Sequence, residues 1–140
     1  MHNAAFSMIL SLLLFSPLSS AEMKRSASSQ GALAYIVSPA NGALVSSPVT
    51  VQFGLKGMGV APAGIMKPGT GHHHLLINQQ TLPALDKPLG GDVKHFGGGQ
   101  TEVTLELEPG QHTLQLILGD HFHVPHQPAV VSELITITVQ

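Results

Sequence analysis

Nine of the 140 residues are histidine, and several are spaced so that their imidazoles could share one metal ion. His72 and His74 are two residues apart, so on a β-strand both side chains would point to the same face, roughly 6.5–7 Å apart. His121 and His123 repeat this spacing, and His126 follows shortly after them. Imidazole nitrogen is a good ligand for zinc, copper and nickel. The spacing therefore predicts a transition-metal site.

The other side chains that could serve such a site limit which metal it would take. The chain contains no cysteine, which excludes disulfides, thiolate catalysis and zinc sites of the cysteine type. Met58 and Met66 precede the histidine run, and a thioether suits the cuprous ion as imidazole suits the cupric ion. Copper is therefore favoured and zinc remains open. Asp120 and Glu102 could accept the second ring N–H of a ligating histidine.

The elements that must position these histidines are short strands. Runs of β-branched or alternating apolar residues are separated by glycine, proline and asparagine, and no helical period persists. This pattern predicts an all-β fold, an immunoglobulin-like antiparallel β-sandwich of about seven strands. The clearest predicted strands are 33–37, 48–55, 72–78, 101–107, 111–118 and 130–139.

Strand connectivity predicts where the histidines fall. If strand 72–78 pairs antiparallel with strand 111–118, the start of the first and the end of the second lie at the same end of the sandwich. His95 lies just before strand 101–107, which we expect to begin at that end as well. The predicted ligands are therefore His72, His74, His95, His123 and His126, with His73 and His121 as weaker candidates.

Two histidines suit a structural role better than a ligand role. His112 begins strand 111–118 after the turn at Pro109 and Gly110, at the opposite end of the sandwich, where a ring N–H can bond a backbone carbonyl. His73 continues the apolar face of Leu75 and Ile77, so we expect it to be partly buried.

The amino-terminal residues are typical of export. An apolar run from 9 to 15 is followed by small residues up to Ala21, which predicts a signal peptide over 1–21 and a periplasmic or secreted protein. Residues 22–31 are polar and predict a disordered lead-in, and 32–140 form the domain. Six basic and eight acidic residues nearly balance, which argues against a nucleic-acid partner, and the apolar run is too short to span a membrane.

Four longer motifs carry a resemblance to a known family. They are GHHHLLI at 71–77, HFGGGQTE at 95–102, PGQHTLQL at 109–116 and GDHFHVPHQP at 119–128. With these motifs the chain resembles an uncharacterised family of small secreted bacterial proteins, known as a domain of unknown function. The resemblance implies a common site but no reaction. The family pattern it implies includes the glycine run, Asp120 and every histidine of these motifs except His121.

Three functions remain open on the sequence. The first is an exported domain that binds copper or zinc at one end of the sandwich. The second is a cell-envelope interaction module, without catalytic activity, whose histidines are structural. The third is a metal-dependent hydrolase or oxidase with Glu102 or Asp120 as general base. The spacing defines no acid–base pair, so an enzyme is the less favoured reading.

Overall fold

The computed structural model describes residues 23–140, and the predicted signal peptide lies outside this range. Nine strands follow one another: β1 (Leu33–Ser38), β2 (Leu44–Val45), β3 (Val49–Lys56), β4 (Gly59–Val60), β5 (Thr70–Ile77), β6 (Lys94–His95), β7 (Glu102–Leu105), β8 (Gly110–Gly119) and β9 (Ile135–Val139). The all-β prediction is confirmed. Between residues 23 and 140 there is no helix that could qualify as a membrane span.

The strands form two sheets packed as a sandwich. One sheet has the order β1-β3-β7, and the other has the order β2-β9-β8-β5-β4 with β6 also paired to β5. The pairs among the longer strands are antiparallel, including the predicted pair of β5 and β8. The short strands β2 and β4 add parallel pairs at the edges of the second sheet.

The main core lies between the two sheets and follows from alternating sequence. In β3 the side chains of Val49, Val51 and Phe53 are buried, whereas Thr50 and Gln52 between them are exposed. Apolar residues of β5, β8 and β9 face them from the second sheet and join the same cluster. A period of two thus places one face of each strand in the core and the other face outside it.

A smaller apolar cluster covers the outer face of the second sheet. Leu76 of β5 and Ile117 of β8 are buried there against Leu89 and Val93. Leu89 and Val93 belong to the connection 79–100, which the sequence shows only as a long loop. Because this connection lies over the sheet, β6 is brought against the edge of β5. The outer face of the sheet is therefore partly enclosed.

The first described residues are bound to the loop that follows β8. Ala27 forms a parallel bridge with Gln127, and Arg25 Nε donates a hydrogen bond to the carbonyl oxygen of Pro125 over 2.9 Å. Ser26 Oγ donates to Asp120 Oδ2 over 2.6 Å. Residues 25–27, within the stretch that composition predicts to be a disordered lead-in, thus bind along the loop that follows β8.

Candidate metal centre

Strand β5 divides its three consecutive histidines between the two faces of the second sheet. His73 points into the sandwich, where its ring centroid lies 5.2 Å from that of Phe53. His72 and His74 point to the outer face, with ring centroids 4.7 Å apart. These two rings are 0% and 1% exposed. The alternation of a strand therefore gives two neighbouring imidazoles on one face, as the spacing predicts.

Two other segments bring one more imidazole each to this face. Strand β6 pairs with β5 so that His95 lies opposite His74. His123 lies in the loop after β8 and has a φ of 65°. That left-handed conformation closes a tight turn in which the His123 N–H donates to the Asp120 carbonyl oxygen over 2.9 Å. The site is thus assembled from β5, β6 and the 120–124 turn.

The four imidazoles are arranged close to a tetrahedron. One ring nitrogen from each of His72, His74, His95 and His123 lies within 4.8 Å of the other three. The six distances between ring centroids run from 4.6 to 5.9 Å. Four imidazoles on a tetrahedral ion with bonds of about 2 Å would have centroids about 5 Å apart. A square-planar ion would place two opposite pairs about 6.4 Å apart, beyond any distance seen here.

Two glycines leave the space that these rings occupy. A Cβ on Gly97 would lie 2.3 Å from His95 Cε1, and a Cβ on Gly119 would lie 2.7 Å from His74 Cε1. Neither glycine has a φ in the left-handed region, so the backbone itself does not require glycine at these positions. The close approach of the imidazole rings is what a side chain would obstruct.

Burial and crowding favour the neutral form of the His72, His74 and His123 imidazoles. Burial, followed by the neighbouring rings of His123 and His95, lowers the pKa of His72 to about 4. Burial and the same kind of crowding lower the pKa of His74 to about 3. The pKa of His123 is also lowered, first by burial and then by His95. A neutral imidazole has a free lone pair, which is the form that binds a metal ion.

The hydrogen bonds within the cluster leave some nitrogens unpaired. His72 Nε2 and His123 Nδ1 lie 3.0 Å apart and share one hydrogen bond. Within residues 23–140, the buried Nδ1 atoms of His72 and His74 have no hydrogen-bond partner. A buried polar atom without a partner costs about 1–3 kcal/mol. The arrangement is therefore unfavourable as a hydrogen-bond network. Imidazole nitrogens with free lone pairs suit a metal ion instead.

Asp120 supports the site differently from the sequence-based expectation. Its Oδ1 accepts hydrogen bonds from the backbone N–H groups of Phe122 and Val124, at 2.9 and 3.0 Å, and not from an imidazole. Burial raises the pKa of Asp120, but bonds from Ser26 and these N–H groups lower it, and the net pKa lies below the usual value. Asp120 therefore holds the turn that carries His123.

His126, predicted as a ligand, lies outside the group of four. Its Nε2–H donates to the Thr70 carbonyl oxygen over 3.1 Å, and its Cε1 lies 2.8 Å from where a Cβ of Gly71 would be. Gly71 faces the same side of β5 as His73, because side chains alternate. A bridge between Gly119 and Pro125 turns the chain back along β8 and directs His126 to that side.

The remaining histidines also lie outside the group. The buried His73 faces the core, and within residues 23–140 neither of its ring nitrogens has a hydrogen-bond partner. The His121 ring packs against the Phe122 ring at a tilt of 43°, with ring centroids 4.2 Å apart. His112 Nε2–H donates to the Glu108 carbonyl oxygen over 2.7 Å, while Asn78 Nδ2 donates to His112 Nδ1 over 3.0 Å. His112 thus has the structural role expected of it.

The other supporting candidates are placed away from the cluster. Glu102 is exposed on β7, in the opposite sheet, where it accepts a hydrogen bond from Gln52 over 3.4 Å. Met58 packs against the main core. Met66 is 73% exposed and lines a cleft of about 290 Å³ beside His121 and His126. Neither position shows a thioether beside the four histidines, so the expectation of copper gains no support from the methionines.

Comparison with known proteins places the chain in a family. Residues 51–140 match the family described as Domain of unknown function (DUF4399), and the chain belongs to it. The matched region contains all four histidines of the cluster. No curated protein matches the chain, and no solved structure matches it.

Proposed function

We propose that this protein is exported and binds a transition-metal ion through His72, His74, His95 and His123, with zinc as the preferred ion. The observation that carries this proposal is the near-tetrahedral arrangement of the four imidazole ring centroids, which come from three chain segments. The predicted signal peptide supports a periplasmic or secreted location.

The choice of zinc over copper follows from geometry and ligand type. Zinc has no preferred geometry from its d electrons and is most often bound by four ligands in a tetrahedron. The cupric ion prefers a square-planar or tetragonal set, and the cuprous ion prefers sulfur ligands. The ring separations fit the tetrahedron, and among the histidine, cysteine, aspartate and glutamate side chains of residues 23–140 the group contains histidines alone. Copper binding in a distorted site is the alternative that titration would reveal.

Binding fits the site better than catalysis. A catalytic zinc site keeps three protein ligands and an open position for water, whereas four imidazoles complete a tetrahedral set. Asp120 is already bound to two backbone N–H groups and to Ser26. Glu102 lies in the other sheet. Neither carboxylate is placed to act as the general base of a hydrolase.

Calorimetric titration of the untagged chain from residue 22 with zinc, cupric and cuprous ions tests the proposal. We expect one zinc per chain, bound more tightly than cupric ion. His123→Ala should weaken zinc binding at least about tenfold, because it removes a ligand, and even the loss of a group that only hydrogen-bonds a ligand costs about 10–100-fold. His121→Ala is the matched control, because it removes an imidazole from the same loop but outside the cluster, and it should bind zinc as the native chain does.

Three results would contradict this function. One is a native chain that binds neither zinc nor copper, which would favour an interaction module with structural histidines. Another is an equal loss of binding in the His121 and His123 variants. The third is preferred binding of copper, which would overturn the choice of zinc and retain the site.

A further inference from the structure

The four histidines are held very unequally, and this suggests how an ion would enter and leave. His72 and His74 are almost completely buried on β5, which is paired with β8 along six residue pairs. His95 is exposed and belongs to a strand of two residues, and His123 is partly exposed in a loop. One side of the site is therefore a rigid pair of imidazoles, and the other is a pair at the surface.

The two surface imidazoles lie side by side. The ring centroids of His95 and His123 are 4.6 Å apart, the shortest separation in the cluster. The backbone beside His95 is held, because Phe96 is buried in the main core and its N–H donates to the His73 carbonyl oxygen over 3.1 Å. The exposed His95 side chain can nevertheless rotate away from the cluster without disturbing the sheet, because exposed side chains change rotamer readily.

We propose that the site transfers its ion to an acceptor by ligand substitution at His95, while His72 and His74 hold the ion. This inference rests on the proposed function. The acceptor is a molecule that presents an unhindered nitrogen or sulfur donor atom to the exposed side of the site, where His95 and His123 lie. The protein is then a carrier of exchangeable metal, and the ion is its cargo, in contrast to a structural site that keeps its ion.

The step balances without any further reactant. A lone pair of the acceptor forms a bond to the ion as the bond from the ion to the His95 nitrogen breaks. The electron pair of that bond returns to the imidazole, which can then take the proton that the acceptor donor loses. The oxidation state of the ion does not change. Repetition at His123 and then at the buried pair completes the transfer.

This order of steps makes a kinetic prediction that a structural site would not share. If the acceptor bonds to the ion before the ion has left, the transfer rate must rise with the acceptor concentration. If the ion is enclosed and must first be released by opening of the protein, the rate becomes independent of the acceptor concentration. Stopped-flow mixing of the zinc-loaded chain with the chromophoric chelator 4-(2-pyridylazo)resorcinol separates the two.

We expect the transfer rate to rise in proportion to the chelator concentration. His95→Ala should bind zinc with an affinity lowered about tenfold and transfer it at least about tenfold faster, because one bond at the exposed edge is already absent. His74→Ala should lose affinity more severely, by at least about a hundredfold, because it removes half of the rigid pair. The control His112→Asn should leave both affinity and rate unchanged, because His112 lies at the opposite end of the sandwich.

A rate that does not change with chelator concentration would overturn the exchange proposal, and so would equal losses of affinity in the His95 and His74 variants. Both results require that the native chain binds zinc, so they would leave the proposed function intact. A native chain that binds no zinc would instead defeat the proposed function, and the exchange proposal with it.

Discussion

The two faces of β5 carry the same residue type with opposite consequences. His73 on the inner face is a single imidazole against Phe53, surrounded by the apolar core. His72 and His74 on the outer face meet two imidazoles from other segments. All three rings are buried, and burial lowers the pKa of each. What separates a packed histidine from a candidate ligand is therefore the number of donors that reach the same point, and not burial or pKa.

The comparison also shows how differently the two faces are stabilised. On the inner face, apolar side chains from both sheets fill the core, and an imidazole without hydrogen bonds is an exception there. On the outer face, the connection 79–100 and the turn 120–124 leave room for four rings above Gly97 and Gly119. The inner face thus serves the stability of the fold, and the outer face retains an arrangement whose benefit would come from a bound ion.

Substituting one histidine on each face should give the largest difference. His74→Leu should reduce zinc affinity by at least about a hundredfold, because it removes a buried ligand. His73→Leu should leave zinc affinity unchanged and raise the free energy of unfolding by about 1 kcal/mol, because a ring without hydrogen bonds is replaced by an apolar side chain. Calorimetric titration and urea unfolding measure the two effects. A loss of zinc binding in the His73 variant would contradict the division between the faces.

A methyl group placed beneath the cluster should have an intermediate effect. Gly97→Ala should lower zinc affinity about tenfold, because the new Cβ would displace the His95 ring. Its effect on the stability of the metal-free chain should be small, because the displaced group is an exposed side chain. Gly91→Ala is the matched control, since a Cβ there would have no neighbour within 4 Å among the described residues. Equal zinc affinities of the two variants would show that the space above Gly97 does not matter.

A further expected effect, which involves no metal ion, is the contribution of the inner face to the pH dependence of stability. Burial lowers the pKa of His73 from 6.5 to about 4, so between these values the unfolded chain binds a proton that the folded chain does not. Protonation of His73 therefore does not affect stability above pH 6.5. As the pH falls from 6.5 towards 4, the free energy of unfolding decreases by roughly 1 kcal/mol per pH unit.

Urea unfolding of the metal-free chain at several pH values measures this dependence. His73→Leu should reduce the slope of the free energy of unfolding against pH between pH 6.5 and 4. Part of the slope should remain, because burial lowers the pKa values of His72 and His74 too. An unchanged slope in the His73 variant would mean that its ring does not titrate as described.

Much of the fold could be predicted because a period of two directly reports which residues a sheet buries. Val49, Val51 and Phe53 alternate with polar residues, and β3 occupies the predicted segment. The pairing of β5 with β8 was assumed from the immunoglobulin-like template and is present in the structure. The connection 79–100 could not be placed, because Leu89 and Val93 are isolated apolar residues without a period.

The amino-acid sequence by itself determined the sandwich, the sharing of one face by His72 and His74, and the absence of thiolates. These follow from local rules, since alternation and residue type need no knowledge of distant contacts. The tertiary structure alone decided that His123 joins the cluster while His126 does not. That outcome depends on the left-handed turn at His123 and on the return of the chain along β8 after it. A shift of one strand position moves a side chain to the other face of a sheet, so the ligand set depends on contacts that spacing does not encode.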